Sequence, residues 1–207
     1  KECTKHGITS FQDAGSDAKA ISAYRKAVIN GEMNIRLWAM LSCSNNEPTL
    51  NDSFVESWLA QGPEIGEKLT IRSIKLYSDG ALGSRGAWLI EEYSDRPGHF
   101  GNPVQPMTLI AEVADKGLKS GFQVCTHAIG DRANREVLDA YEKAFAANPE
   151  KAADHRFRIE HAQHLHPQDI PRFAEMRVIA SMQGIHFASD RPWAIDRLGA
   201  LRIALGA

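Results

Sequence analysis

The stretch Gln123-Val124-Cys125-Thr126-His127-Ala128-Ile129-Gly130-Asp131 and its echo Phe157-Arg158-Ile159-Glu160-His161-Ala162-Gln163 decide how this chain folds. Each is a short apolar or β-branched run that ends on a histidine and then breaks into small residues. Between them, Asp131 to Ala147 places Ala133, Val137, Leu138, Tyr141 and Phe145 on one stripe at helical spacing. Strand, helix, strand over 34 residues (161 minus 127) is one βα unit, which sets two parallel strands side by side. Alternation along a strand puts Cys125 and His127 on one face, and likewise Phe157, Ile159 and His161 together.

The same rhythm runs outward in both directions. Strand patterns cover Gly7–Gln12 (ending at Asp13-Ala14-Gly15), Ile35–Leu41, Ile71–Tyr77, Phe122–Thr126, Phe157–Ile159 and Val178–Met182. Helical patterns cover Asp17–Asn30, Asn51–Ala60, Thr108–Lys119, Asp131–Ala147, Pro167–Glu175 and Pro192–Ala207, with Asn51 or Asp52 as one cap and Gly121 as one stop. Alternation of this kind means a parallel sheet, either open and doubly wound or closed as a (β/α)8 barrel. No G-x-G-x-x-G follows the first strand and no G-x-x-x-x-G-K-[ST] occurs, so nucleotide-binding open sheets lose their signature. Polar residues sit instead at nearly every strand end: Asp13, Ser42, Lys75 with Asp79, His127, His161 and Gln183. That distribution suits a barrel, whose chemistry is assembled from several strand ends. Six strands rather than eight predict an incomplete TIM-type barrel, with residues 1–207 as one partial domain.

Composition narrows the function classes. The 207 residues include 24 Lys plus Arg against 26 Asp plus Glu, a net charge of −2, which gives no electrostatic reason to propose nucleic acid or an anionic membrane as partner. No window reaches the ~18 apolar residues of a membrane-spanning helix. Three cysteines (Cys3, Cys43, Cys125) are too few for a disulfide scaffold and lack zinc-finger spacing, favouring a reduced, cytoplasmic setting. The first residue is Lys1, so a targeting segment can lie outside the sequence.

Two imidazoles converging at neighbouring strand ends make a half-site for Zn²⁺ or a similar divalent ion. Lys75, at the end of the preceding strand, can serve as a Schiff-base nucleophile, as a carbamylated metal bridge, or as an ion-pair partner of Asp79. A single strand-end histidine is usually just a hydrogen-bonded residue; the pairing of His127 with His161 is what raises a ligand role. His164 and His166 fall on a helix-start loop and are expected to be solvated, while His6, His99 and His155 have no partner pattern. Cys125 reads as a small core residue.

Five stretches, in order and spacing, resemble the amidohydrolase superfamily, specifically the amidohydrolase-3 group that includes N-substituted formamide deformylases and YtcJ-like proteins. They are Gly7-Ile8-Thr9-Ser10 with Asp13-Ala14-Gly15, Lys75-Leu76-Tyr77-Ser78-Asp79-Gly80-Ala81-Leu82-Gly83-Ser84-Arg85, His127 to Ala133, Arg158 to Gln163, and Ala180-Ser181-Met182-Gln183. The resemblance implies a metal-dependent hydrolase of carbon–nitrogen, amide-type bonds acting through metal-activated water. It implies His127 and His161 as the fifth- and sixth-strand metal ligands, Lys75 as the fourth-strand lysine that bridges metals when carbamylated, and all three as catalytic. It also implies that the first-strand His-x-His would precede Lys1, that the eighth-strand Asp would follow Ala207, and that a small β-sandwich domain is missing, so that the six strands are approximately strands two to seven of the barrel.

Residues 78–106, with Arg85, Trp88, Tyr93 and His99, form a long connection that reads as a lid. Asp79, Arg85, Tyr93, Gln183 and His186 are the candidate substrate contacts. The competing functions are a Schiff-base lyase or aldolase using Lys75, and a folded but non-catalytic barrel fragment. Open edges at Gly7–Gln12 and Val178–Met182, with inward-facing Leu76, Ile159 and Ile179, predict self-association.

Overall fold

A computed structural model describes residues 2–205. Six strands run parallel: β1 (Ser10–Ser16), β2 (Arg36–Ser42), β4 (Leu69–Tyr77), β5 (Gln123–Ala128), β6 (Arg158–His161) and β7 (Ile179–Ser181). They lie in the order β1-β2-β4-β5-β6-β7, and the two-residue β3 (Glu64–Ile65) pairs antiparallel with β4. Sequential order with parallel pairing is the connectivity of a barrel wall.

The wall is curled. Arg158 on β6 donates to Gln12 on β1. Four inter-strand gaps of ~4.8 Å would hold those strands about 19 Å apart in a flat sheet, further than two side chains reach. The chain is therefore an incomplete (β/α)8 barrel, with β1 and β7 as its two edges.

Helices cover the convex face: α2 (Ala18–Ile29), α3 (Ser53–Gln61), α4 (Met107–Lys119), α5 (Asp131–Ala147) and the short α6 (Ile170–Glu175), with α1 (Glu2–Lys5) ahead of β1 and α7 (Ile185–Leu205) at the end. Asp17 caps α2 by accepting from the Ala20 amide, and Asp52 caps α3 by accepting from the Phe54 and Val55 amides. Gly121 ends α4 at φ +79°, a left-handed step natural to glycine. Strand residues Ile71, Ile74, Leu76, Val124 and Ile159, with Phe157 just ahead of β6, pack with helix residues Val113, Val137 and Tyr141 into one core.

Three expectations change. The first strand starts three residues later and ends four residues later than Gly7–Gln12, because β2 continues to pair with it through Ala14 and Ser16 across a bulge at Gly15, whose φ is +125°. The last helix starts at Ile185 rather than Pro192, with Pro192 inside it and a break at Gly199 (φ +77°). Leu76 and Ile159 face the helices, not the lumen, and are fully buried; a register shift in β4 after Ile71 sets this phase. Only Ile179 of that trio is uncovered, at 45% exposure.

A second, smaller core sits over the carboxyl ends of the strands. Leu82, Ala87, Leu89 and Tyr93 of the 78–106 connection pack against Ile129 and against Ala194 and Leu198 of α7. None of the helices among the described residues is long and apolar enough to cross a membrane.

Candidate metal centre

Lys75, Tyr77 and His127 stand on the concave face because β4 and β5 pair in register, Lys75 with Cys125 and Tyr77 with His127. The histidine is locked from behind. Ser78 donates to its carbonyl through both its amide (2.9 Å) and its hydroxyl (2.5 Å). Asp79, 1% exposed, accepts from the amides of Trp88 (2.9 Å), Ile129 (3.0 Å) and Gly130 (2.8 Å), so one carboxylate ties the long connection to the turn that follows His127. The fit needs glycine at 130, where a Cβ would lie 2.0 Å from the Trp88 carbonyl oxygen.

His161 reaches the same place by a different route. Phe157 and Ile159 point into the helix-side core, so simple alternation, as expected above, would bury His161 there too. The backbone instead turns left-handed at His161 (φ +75°) and Ala162 (φ +43°) and swings the imidazole to the concave face. Such conformations cost about 1–3 kcal/mol in a residue with a Cβ and persist where the surroundings impose them, commonly at functional sites. The two rings meet edge to face, centroids 4.6 Å apart.

Burial drives the His127 pKa down to about 3, helped by the His161 ring and the Lys75 ammonium. His161 is lowered as well, chiefly by burial. Nε2 of His127 is buried without a hydrogen-bond partner; Asp79 Oδ1 is 3.4 Å away but not aligned to bond it. A neutral, desolvated imidazole is what a cation ligand requires.

Lys75 is 3% exposed, and burial lowers its pKa to about 8. Its Nζ donates to the Leu76 carbonyl at 2.8 Å and lies 3.4 Å from the Tyr77 ring centroid. It makes no pair with Asp79, whose carboxylate is occupied by amides and is itself raised to about 7 by burial.

The candidate substrate contacts separate into two groups. Asp79 is sealed beneath the surface, Tyr93 is fully buried with its hydroxyl donating to the Ala87 carbonyl, and Arg85 grips Asp95 with two nitrogens at 3.0 and 2.9 Å. These three hold the long connection in shape: Asp95 also takes Arg197 of α7, and His99 ties back to the Arg85 carbonyl. Gln183 and His186, by contrast, line a cavity of about 280 Å³ beside His161, walled further by Phe187, Asp190 and Ala194.

Sequence reasoning missed two features. His164 is not solvated: its Nε2 is buried without a partner and its pKa is pushed to about 4 by burial, because α7 folds over it. Its place on a helix-start loop suggests exposure, and nothing local signals the cover. His155 likewise has partners, stacking on Phe145 and bonding the Met176 carbonyl. Cys125 behaves as expected, with burial pushing its thiol up to about 12.

Among the described residues no group of three or more His, Cys, Asp or Glu side chains is placed to hold a metal ion. The donor chemistry that is present fits a divalent cation as a pair of imidazoles with an amine beside them, and supplies part of a coordination shell.

An amidohydrolase family model matches residues 1–206, and the chain belongs to that family. It is similar to the YtcJ protein of Bacillus subtilis, 32% identical over 98% of this chain and 37% of that protein. It is also similar to the Arabidopsis thaliana protein LONG AFTER FAR-RED 3, 41% identical over 70% of this chain and 24% of that protein. Among solved structures, an uncharacterized metal-dependent hydrolase from Pyrococcus furiosus superposes with a TM-score of 0.84 at 29% identity, over 99% of this chain and 40% of that one. The chain therefore spans less than half the length of these relatives.

Proposed function

We propose that this chain carries the histidine side of a divalent-metal centre, zinc or a close relative, in an amidohydrolase that cleaves a carbon–nitrogen, amide-type bond in a small molecule. The carrying observation is the convergence of His127 and His161, with ring centroids 4.6 Å apart, at the ends of adjacent strands. Their roles follow from their surroundings. His127 and His161 offer neutral nitrogens to a cation, Asp79 and Ser78 hold His127 in place, and the cavity beside His161 receives the substrate. A bound divalent ion supplies Lewis acidity, polarising a carbonyl and making water a competent nucleophile near neutral pH. Lys75, with its lowered pKa, has a neutral amine fraction at neutral pH that suits a carbamate bridge. Three free cysteines, two of them buried, fit a reducing cytoplasm.

A Schiff-base reading draws on the same lowered lysine pKa. The amine is, however, only 3% exposed and bonded to the Leu76 carbonyl. One experiment separates the two. Zn²⁺ titration by calorimetry should show binding that is lost in the double variant His127→Ala, His161→Ala, and borohydride with a carbonyl compound should trap nothing on Lys75. Zinc binding that survives the double substitution sinks the metal reading.

A further inference from the structure

The amide of Gln183 is pinned in one orientation. Its Nε2 donates to the Ser181 carbonyl at 2.8 Å. A carbonyl oxygen only accepts, so the amide atom facing it is the nitrogen, and the amide cannot be turned round. Oε1 therefore points the other way, with His161 Nδ1 at 2.7 Å and His186 Nε2 at 3.2 Å. An amide oxygen likewise only accepts, so each of those ring nitrogens carries its hydrogen. In a neutral imidazole a hydrogen on Nδ1 leaves Nε2 with its lone pair free. Among the described residues no hydrogen bond engages Nε2 of His161.

We propose that Gln183 is the positioning residue that sets the tautomer of His161, holding it as the Nδ1–H form with Nε2 free to meet a cation beside His127. The left-handed turn at His161 is part of the device. Without it the ring would lie among the helices, out of reach of the end of β7. His186 shares the acceptor and steadies the amide without touching the ring nitrogen that works. The idea rests on the metal-centre reading for its purpose, but the tautomer is a property of the chain alone, with no metal or substrate present.

The test is a two-bond ¹H–¹⁵N correlation spectrum of the histidine-labelled protein at about pH 8, above the ordinary ~6.5 of an imidazole. The His161 signals are identified by their loss in His161→Gln. Wild type should show His161 in the Nδ1–H form. Gln183→Leu, which keeps bulk but accepts nothing, should shift it toward Nε2–H, and Gln183→Glu, which accepts, should restore Nδ1–H. Unmoved His155 signals certify the fold, and Gln183→Met repeats the reading if the leucine variant unfolds. Zn²⁺ affinity should fall about 10–100-fold in Gln183→Leu and largely return in Gln183→Glu. An unchanged Nδ1–H form in both apolar variants overturns the assignment. A shifted tautomer with unchanged zinc affinity leaves Gln183 in its role and overturns the metal reading.

Discussion

The two faces of the sheet are built from opposite chemistry. On the convex face Ile74, Leu76, Val124, Phe157 and Ile159 are fully buried beneath the helices. On the concave face a hydrogen-bonded chain runs sideways across the strands instead. Trp38 donates to Ser73, Ser73 to Gln123, and Arg158 clasps Glu160 with two nitrogens at 2.7 and 2.8 Å while reaching Gln12 and Ser181. Apolar packing lies on one face and polar, charged groups on the other. The polar face holds charged and hydrogen-bonding groups at fixed positions under the strand ends, which an oily lumen could not do.

The contrast breaks first on the convex side. Phe157→Ala should remove about 3–5 kcal/mol, read in denaturant unfolding, because Tyr141 and Phe145 pack edge-on against that ring. A loss under 1 kcal/mol would mean that the helix layer is not the main source of stability.

The concave side should respond differently to one substitution and to two. Glu160→Leu alone leaves Arg158 charged and 12% exposed, and is expected to destabilise by about 3 kcal/mol. Arg158→Met together with Glu160→Leu should return to within about 1 kcal/mol of wild type. A double variant as weak as the single would show that this pair stabilises the fold outright.

Acid should act through the covered histidines. His164 has a folded pKa of about 4 against ~6.5 unfolded, so between those values the unfolded chain binds more protons. Its contribution is present above pH ~6.5 and is lost as pH falls. The raised pKa of Asp79 acts in the opposite sense, withdrawing stability as pH rises from ~4 toward 7, and does so equally in wild type and variant. His164→Gln should therefore flatten the acid limb of stability by up to about 1.4 kcal/mol per pH unit. Parallel limbs in the two proteins would place His164 in water.

The smallest energetic effect is expected at the edges, where Phe11 on β1 is 47% exposed and Ile179 on β7 is 45% exposed. Open parallel edges invite pairing between copies, and light scattering should report species larger than one chain. Phe11→Lys with Ile179→Lys should reduce association while moving stability by no more than about 0.5 kcal/mol. A concentration-independent monomer before substitution would remove the edge argument.

How far the sequence reaches can be judged residue by residue. The six strands and the convergence of His127 with His161 were legible, since both follow from periodicity and the length of one βα unit. The route taken by His161 was not, because period-two alternation assumes extended backbone and a left-handed residue other than glycine carries no local signature. Arg85, Tyr93 and Asp79 read as substrate contacts because charge and a hydroxyl in a long connection suggest a ligand. They hold the connection itself: Asp79 through the amides of 88, 129 and 130, Tyr93 through the Ala87 carbonyl, and Arg85 through Asp95, which also takes Arg197 of α7. The cover over His164 was likewise invisible, because it comes from α7 rather than from residues near it in sequence.

The Asp79 joint has one more implication. It grips the long connection and the turn after His127 only through the backbone N–H groups of residues 88, 129 and 130. Every amino acid but proline offers that group. The fastening is thus blind to side-chain identity at 88 and 129, so the outer surface of the 78–106 connection can be rewritten for a new ligand while the mount of His127 stays where it is.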